Sequence, residues 1–400
     1  MKSFIAGGIT APAGFRAAAV ACGLKTKNLD LALVVADKPS STAAVFTTNL
    51  ALAAPVIVSK EHLKESNGIA QVIAVNSGCA NACTGETGLV SAHKMAGSVA
   101  KATGCKLSHA LIASTGVIGV PLDMTKVHNG IIAASHQLND NTHLEAAEAI
   151  MTTDLSPKES AVKFDTPSGS VVIGGMVKGA GMIEPNMATM LGFLTTDVTI
   201  KPHLLQKALL DAVGNTFNSI SIDGECSTND SVFLMASGAS DITIDENLLP
   251  VFTDGLRDLC GLLARDIVQG GEGATKLVTI LVSGSRSSEE ANRAAHAMAN
   301  SLLVKTALNG GDPNWGRLVA VAGRAGVEFN LSRAKVRIGK ALLLANNTIY
   351  PDQESIAADH LAEKEVEIEV NLGTDSEYSA TVWTCDLSDQ YVRINADYRT

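Results

Sequence analysis

Several short stretches carry small and polar residues where a fold ordinarily needs only a turn. They are NSGCANACTGETG (76–88), ASTGVIG (113–119), MTTD (151–154), KGAGMIEPNMATM (178–190), SIDGECSTND (221–230), GGEGATK (270–276) and NGGDPNWGR (309–317). Any one alone is more often a turn than a site. Together, most of them fall at predicted strand ends, where loops commonly assemble a pocket. One is odder than the rest. KGAGMIEPNMATMLGFLTTD (178–197) opens on a lone lysine, Lys178, among glycines and runs through Pro185 into the dipeptide Ala188–Thr189. An apolar, strand-like MLGFL follows at once.

The usual catalytic signatures are missing. The nine histidines include no HExxH and no His–Cys cluster with zinc spacing, and they read as structural. Cys79 and Cys83 lie in a loop without further ligands, so no metal is expected. The GxSxG elbow of α/β-hydrolases is absent. VQGGEGATK (268–276) is glycine-rich, but no GK[ST] follows, and a predicted helix precedes it where a phosphate loop needs a strand.

The elements that must carry these stretches are strands and helices in mixed order. Strand-like runs are predicted at 29–36, 54–60, 70–76, 109–114, 170–177, 189–200, 231–238, 276–284, 366–373 and 379–386. Helical patterns fall at 85–104, 201–217, 247–271 and 287–304. The pattern is α/β, as mixed α+β or a layered arrangement. With 400 residues and 46% apolar content, the chain is long enough for a sizeable core and for two lobes. The best seam is the turn-rich 283–290, ahead of a smaller C-terminal lobe. Only 4% of the chain is aromatic, so Ala, Val, Leu and Ile must fill the core.

The net charge of −10 and the lack of a basic, aromatic-interleaved run argue against nucleic acid as a partner. Seven cysteines without a CxxC pair suit reduced thiols in a cytoplasmic protein. The N-terminus has neither the apolar core of a signal peptide nor the arginines of a transit peptide. No membrane span is expected.

The small-residue stretches, together with GITAPAGFRAAAVACGLK (8–25) and LALVVADKPSSTAAVFTTN (31–49), resemble the ornithine acetyltransferase family, also called arginine-biosynthesis glutamate N-acetyltransferases. The resemblance runs from about residue 5 to the C-terminus, and NMATML and DPNWGR are its most specific segments. It implies a layered, N-terminal-nucleophile-like α/β fold. It also implies that the chain cuts itself between Ala188 and Thr189, giving fragments 1–188 and 189–400 with Thr189 as nucleophile of the second.

Residue chemistry suits that role. Strain at the Ala188–Thr189 peptide, on the order of 1–3 kcal/mol, lets the Thr189 hydroxyl attack the Ala188 carbonyl. Small Ala188 leaves room for the attack, and Pro185 stiffens the approach. Hydrolysis of the resulting ester frees an α-amine with an ordinary pKa of about 7.7–8.0, a general base for its own hydroxyl. By resemblance, Thr115 and Gly116 form the oxyanion hole, while Thr152, Lys178, Glu272, Asn395 and Thr400 contact substrate. Lys178 suits a carboxylate and Glu272 an ammonium group. Asn314 and Arg317 of DPNWGR read as structural, with Asp312 as a helix cap.

The implied reaction moves the acetyl group of N2-acetyl-L-ornithine to L-glutamate without a cofactor, in a cytoplasmic heterotetramer of two α and two β chains. Some family members also take acetyl-CoA as donor, and no residue here decides that. Two other readings compete: an aminopeptidase or amidase of the same fold, and an uncleaved binding protein.

Overall fold

Two strands, Leu191–Thr196 and Ser231–Ala236, are buried along their whole length and lie side by side in parallel, Leu191 opposite Ser231. Such runs can only be interior strands with both faces covered. A computed structural model describes residues 2–184 and 190–397. Among these, the two strands sit in the middle of a nine-stranded sheet. Its order is Lys2–Ile5, Lys158–Thr166, Gly169–Lys178, Leu191–Thr196, Ser231–Ala236, Leu31–Phe46, Ile69–Asn76 and Ala110–Ser114, with Phe15–Val20 also paired to Leu31–Phe46.

Side chains alternate across this sheet. Phe193, Phe233 and Met235 point into one cluster that also takes Ala146 and Ala149 from the helix His143–Ala149. Leu194, Val232 and Leu234 join the opposite cluster, beneath the helices Pro202–Gly214 and Leu249–Gln269. Leu249–Gln269 lies against Lys158–Thr166 and Gly169–Lys178 on one side and touches Tyr378–Cys385 on the other. It comes close because Gly255 faces the Phe164 ring, where a Cβ would sit 2.4 Å from a ring carbon.

Tyr378–Cys385 belongs to a second, seven-stranded sheet. It is ordered Ile220–Ser221, Tyr378–Cys385, Leu277–Ser285, Glu365–Asn371, Lys335–Ile338, Ala341–Ala345 and Thr348–Ile349. Its other cluster is built with the helices Ser288–Ala299, Leu302–Gly310 and Trp315–Arg324. The seam expected at 283–290 falls instead inside this second lobe, where it joins the strand Leu277–Ser285 to the helix Ser288–Ala299 packed on the same sheet. The mixed α/β, layered, two-lobed fold expected from the sequence is therefore the fold observed.

Two of the predicted strands and helices differ in the structure. The run 54–60 is not a strand but the start of the helix Ala54–Glu65. Pro55 fits the first helical turn, and KEHLKE extends the segment with good helix formers. The predicted helix 287–304 breaks at Asn300, because Ser301 caps a new helix by accepting from the Val304 N–H. No described helix is long and apolar enough to cross a membrane.

Candidate active site

The strands Ile69–Asn76 and Ala110–Ser114 run parallel and leave the sheet at the same end. Asn76 stitches their exits together. Its backbone carbonyl accepts from the Thr115 N–H at 3.0 Å, and its Oδ1 accepts from Ser114 Oγ at 2.6 Å. Asn229 adds a second stitch, donating from Nδ2 to the carbonyls of Ala80 (2.6 Å) and Ser114 (2.9 Å). Gly116 then turns at φ +127°, and a Cβ there would lie 2.4 Å from the Gly78 carbonyl carbon. Only glycine fits this approach. The Thr115 hydroxyl is left facing the third strand.

That strand, Gly169–Lys178, ends at Lys178, whose Nζ donates to Thr115 Oγ1 at 3.0 Å. Burial pushes the Lys178 ammonium below the ordinary lysine range, against the pull of Asp154, Asp230 and Glu272. Beneath it, Asp154 bonds the buried Lys158 at 2.6 Å and accepts from the Gly179 N–H at 2.8 Å. Burial would raise the Asp154 carboxyl, but Lys158 and Lys178 outweigh it and hold it below its usual value. Asp154 also accepts from the Thr152 N–H at 3.1 Å, which brings Thr152 to the same end of the sheet.

This pair gives a stability prediction. Asp154→Ala leaves Lys158 buried without its counter-ion, and unfolding in urea should show a loss of about 3–5 kcal/mol. Because the Asp154 carboxyl is depressed in the fold, its contribution is present at neutral pH. It is lost as acid drives the pH down through the folded value.

Glu272 follows the helix Leu249–Gln269 in a loop that is fastened on both sides. Its own N–H donates to the Ala180 carbonyl at 2.7 Å. Downstream, the Asp386 carboxylate accepts from the Thr275 N–H, the Thr275 hydroxyl and the Lys276 N–H. The Glu272 carboxylate lies over Gly181, where a Cβ would come within 2.5 Å of Oε2. On the far side the helix Asp389–Asp397 brings Asn395, whose Nδ2 donates to Glu272 Oε2 at 2.8 Å.

These elements enclose a cleft of about 150 Å³. Thr115, Gly116, Thr152, Lys178, Glu272 and Asn395, each singled out from the sequence, all line it. Met190 and Leu191, the residues that follow Thr189 in the chain, line it as well. Pro185, Ala188, Thr189 and Thr400 lie outside the described residues. Beside Lys178 the described lining is acidic, with Asp223, Glu225, Asp230 and Glu272. Such a wall favours a small polar ligand that carries an ammonium group.

Asn314 and Arg317 stand away from the cleft. Asn314, not Asp312, caps the helix Trp315–Arg324 by accepting from the Arg317 N–H, and the Arg317 guanidinium donates to the Leu303 carbonyl at 2.6 Å. Sequence reasoning did not single out Asp154, Asp223 or Tyr391. Asp154 and Asp223 sat inside stretches already flagged as unusually polar, whereas Tyr391 lay in none of them.

This fold and this cleft define an α/β enzyme with a small-molecule site at one end of its main sheet. The chain belongs to the ArgJ family, the ornithine acetyltransferases, whose profile matches residues 16–400. It is an acetyltransferase of arginine biosynthesis. It is 43% identical over 397 residues to the arginine biosynthesis bifunctional protein ArgJ of Bacillus cereus, covering 98% of this chain and 97% of that one. To the protein of the same name from Chlorobaculum tepidum it is 44% identical over 390 residues, covering 97% and 96%. The crystal structure of the ArgJ protein of Bacillus halodurans matches with a TM-score of 0.51 at 40% identity, covering 52% of this chain and 100% of that one.

Proposed function

We propose that the chain breaks its own backbone between Ala188 and Thr189 and then carries acetyl groups on the Thr189 hydroxyl. In the first event the hydroxyl oxygen attacks the Ala188 carbonyl carbon and the peptide C–N bond breaks, leaving an ester. Water hydrolyses that ester, so Ala188 ends one fragment and Thr189 begins the other with a free α-amine. In transfer, this amine accepts the hydroxyl proton as Thr189 attacks the acetyl carbonyl of N2-acetyl-L-ornithine. The Thr115 hydroxyl and the Gly116 N–H stabilise the oxyanion, the α-ammonium returns its proton to the leaving nitrogen, and the C–N bond breaks to release L-ornithine. The amine of L-glutamate then attacks the acetyl ester, giving N-acetyl-L-glutamate and restoring Thr189.

The observation that carries this reading is the convergence of six residues, spread widely in sequence and assigned by the resemblance, on one cleft that Met190, the neighbour of Thr189, also lines. The Glu272 carboxylate, held by Asn395, suits the ornithine ammonium, and Lys178 suits a carboxylate. Thr152 contributes to the same wall, and Thr400 is assigned to the same substrate. The working assembly in this proposal is two 1–188 and two 189–400 fragments in the cytoplasm, with acetyl-CoA as an additional donor to be tried. Ornithine release from N-acetylornithine, followed with and without glutamate, is the test. Multiple turnovers should require glutamate. Release that ignores glutamate is the behaviour of an amidase and contradicts the transferase.

A further inference from the structure

Asp223 lies in the cleft but has no part in the chemistry above. Its carboxylate accepts four hydrogen bonds. Oδ1 takes the N–H groups of Ile183 (2.8 Å) and Glu225 (3.2 Å). Oδ2 takes the Met182 N–H (2.7 Å) and the Tyr391 hydroxyl (3.1 Å). The two carboxylate oxygens between them offer acceptor sites enough for all four.

The two successive donors, Met182 and Ile183, belong to the chain just before residues 185–189. Met182 is left-handed, at φ +58°. A residue with a Cβ adopts that conformation at a cost, and converging N–H groups on one anion are what hold it there. The neighbouring backbone is tied to the same loop. The Ile183 carbonyl accepts from the Ile222 N–H at 2.7 Å, and the Glu184 N–H donates to the Glu225 carbonyl at 2.8 Å. On the other side of 185–189, the Met190 carbonyl accepts from the Ser231 N–H at 3.1 Å. The fourth donor, Tyr391, belongs to the helix that carries Asn395.

We propose that Asp223 is a positioning residue with two roles: it fixes the bend at Met182–Ile183 from which the chain enters the self-cleaving segment, and through Tyr391 it docks the C-terminal helix onto the substrate cleft. This rests on the self-cleavage reading above. One carboxylate thus couples maturation to substrate binding. The bonds to Met182 and Ile183 serve cleavage, and the bond to Tyr391 serves the helix that presents Asn395 to Glu272. After the break, the same backbone bonds still hold residues 182–184 against the 221–225 loop.

The test uses the full chain, newly synthesised and chased, with cleavage followed on denaturing gels and folding checked by thermal melting. Asp223→Asn turns one acceptor oxygen into a donor and should slow cleavage about tenfold or more. Adding Met182→Gly, which makes the left-handed bend free of steric cost, should restore at least about threefold of that loss. Tyr391→Phe should cleave within about twofold of wild type yet raise the KM for N-acetylornithine about fivefold with little change in kcat. Asp223→Asn cleaving at the wild-type rate contradicts the first role, and so does a folded double variant that recovers nothing. An unchanged KM in Tyr391→Phe contradicts the second, whether or not Asp223→Asn folds. A wild-type chain that never cleaves overturns the underlying reading itself, an outcome distinct from wild type and Asp223→Asn cleaving alike.

Discussion

Thr189→Ala should leave one 400-residue chain whose acetyl transfer is reduced by at least about 10⁴-fold. The size follows from how much the proposal asks of one side chain. Its hydroxyl is the nucleophile that breaks the backbone and the oxygen that holds the acetyl ester. Its nitrogen is the base, and it becomes one only when the peptide bond to Ala188 is gone. An amide nitrogen has no available lone pair, whereas a free α-amine titrates at about 7.7–8.0, near neutral pH. Removing the hydroxyl therefore removes both reactions at once. Thr189→Ser keeps an attacking oxygen and should cleave, more slowly than threonine, with part of the transfer activity retained. Cleavage is read on a denaturing gel and transfer by ornithine release in the presence of glutamate.

Thr115→Val should cost about 10²–10³-fold in kcat, with a much smaller change in KM. The Thr115 backbone N–H is already spent on the Asn76 carbonyl, so the donor it can offer a substrate is its hydroxyl. Lys178 Nζ donates to that hydroxyl oxygen at 3.0 Å, which leaves the hydroxyl proton to point elsewhere, toward an oxyanion in the cleft. The ammonium also polarises the O–H and strengthens it as a donor. Valine keeps the shape and removes the donor, so the loss should fall on the transition state. Thr115→Ser keeps the hydroxyl and should recover most of the rate. A Thr115→Val enzyme with wild-type kcat and a raised KM would mean that this hydroxyl binds substrate rather than the developing charge.

The sequence was most legible where local chemistry and backbone demand coincide. Gly116 could be placed beside Thr115 at a strand end, and the structure shows why no larger residue fits against Gly78. Lys178 was conspicuous as a charge among glycines, Glu272 came from the family resemblance, and Gly181 proves to be the space in which the Glu272 carboxylate lies. The central strands could be read from continuous apolar runs such as the one through Phe193. Less legible was anything settled by tertiary contact. The run 54–60 has the β-branched residues of a strand, yet it folds as a helix against Ala110–Ser114. Asp223 and Tyr391 are 168 residues apart, and no spacing in the sequence brings a tyrosine hydroxyl to that carboxylate. Asp154 looked like part of a polar turn until its bond to the buried Lys158 gave it a structural purpose.

The central claim is that one peptide bond in an otherwise intact chain is broken to make the nucleophile. Intact-mass measurement with N-terminal sequencing of active, purified protein tests it most directly. Self-cleavage at this bond gives two fragments of 188 and 212 residues, the second beginning Thr189, Met190, Leu191, Gly192, Phe193. A fully active preparation made of a single 400-residue chain, or of fragments cut at any other bond, would contradict it.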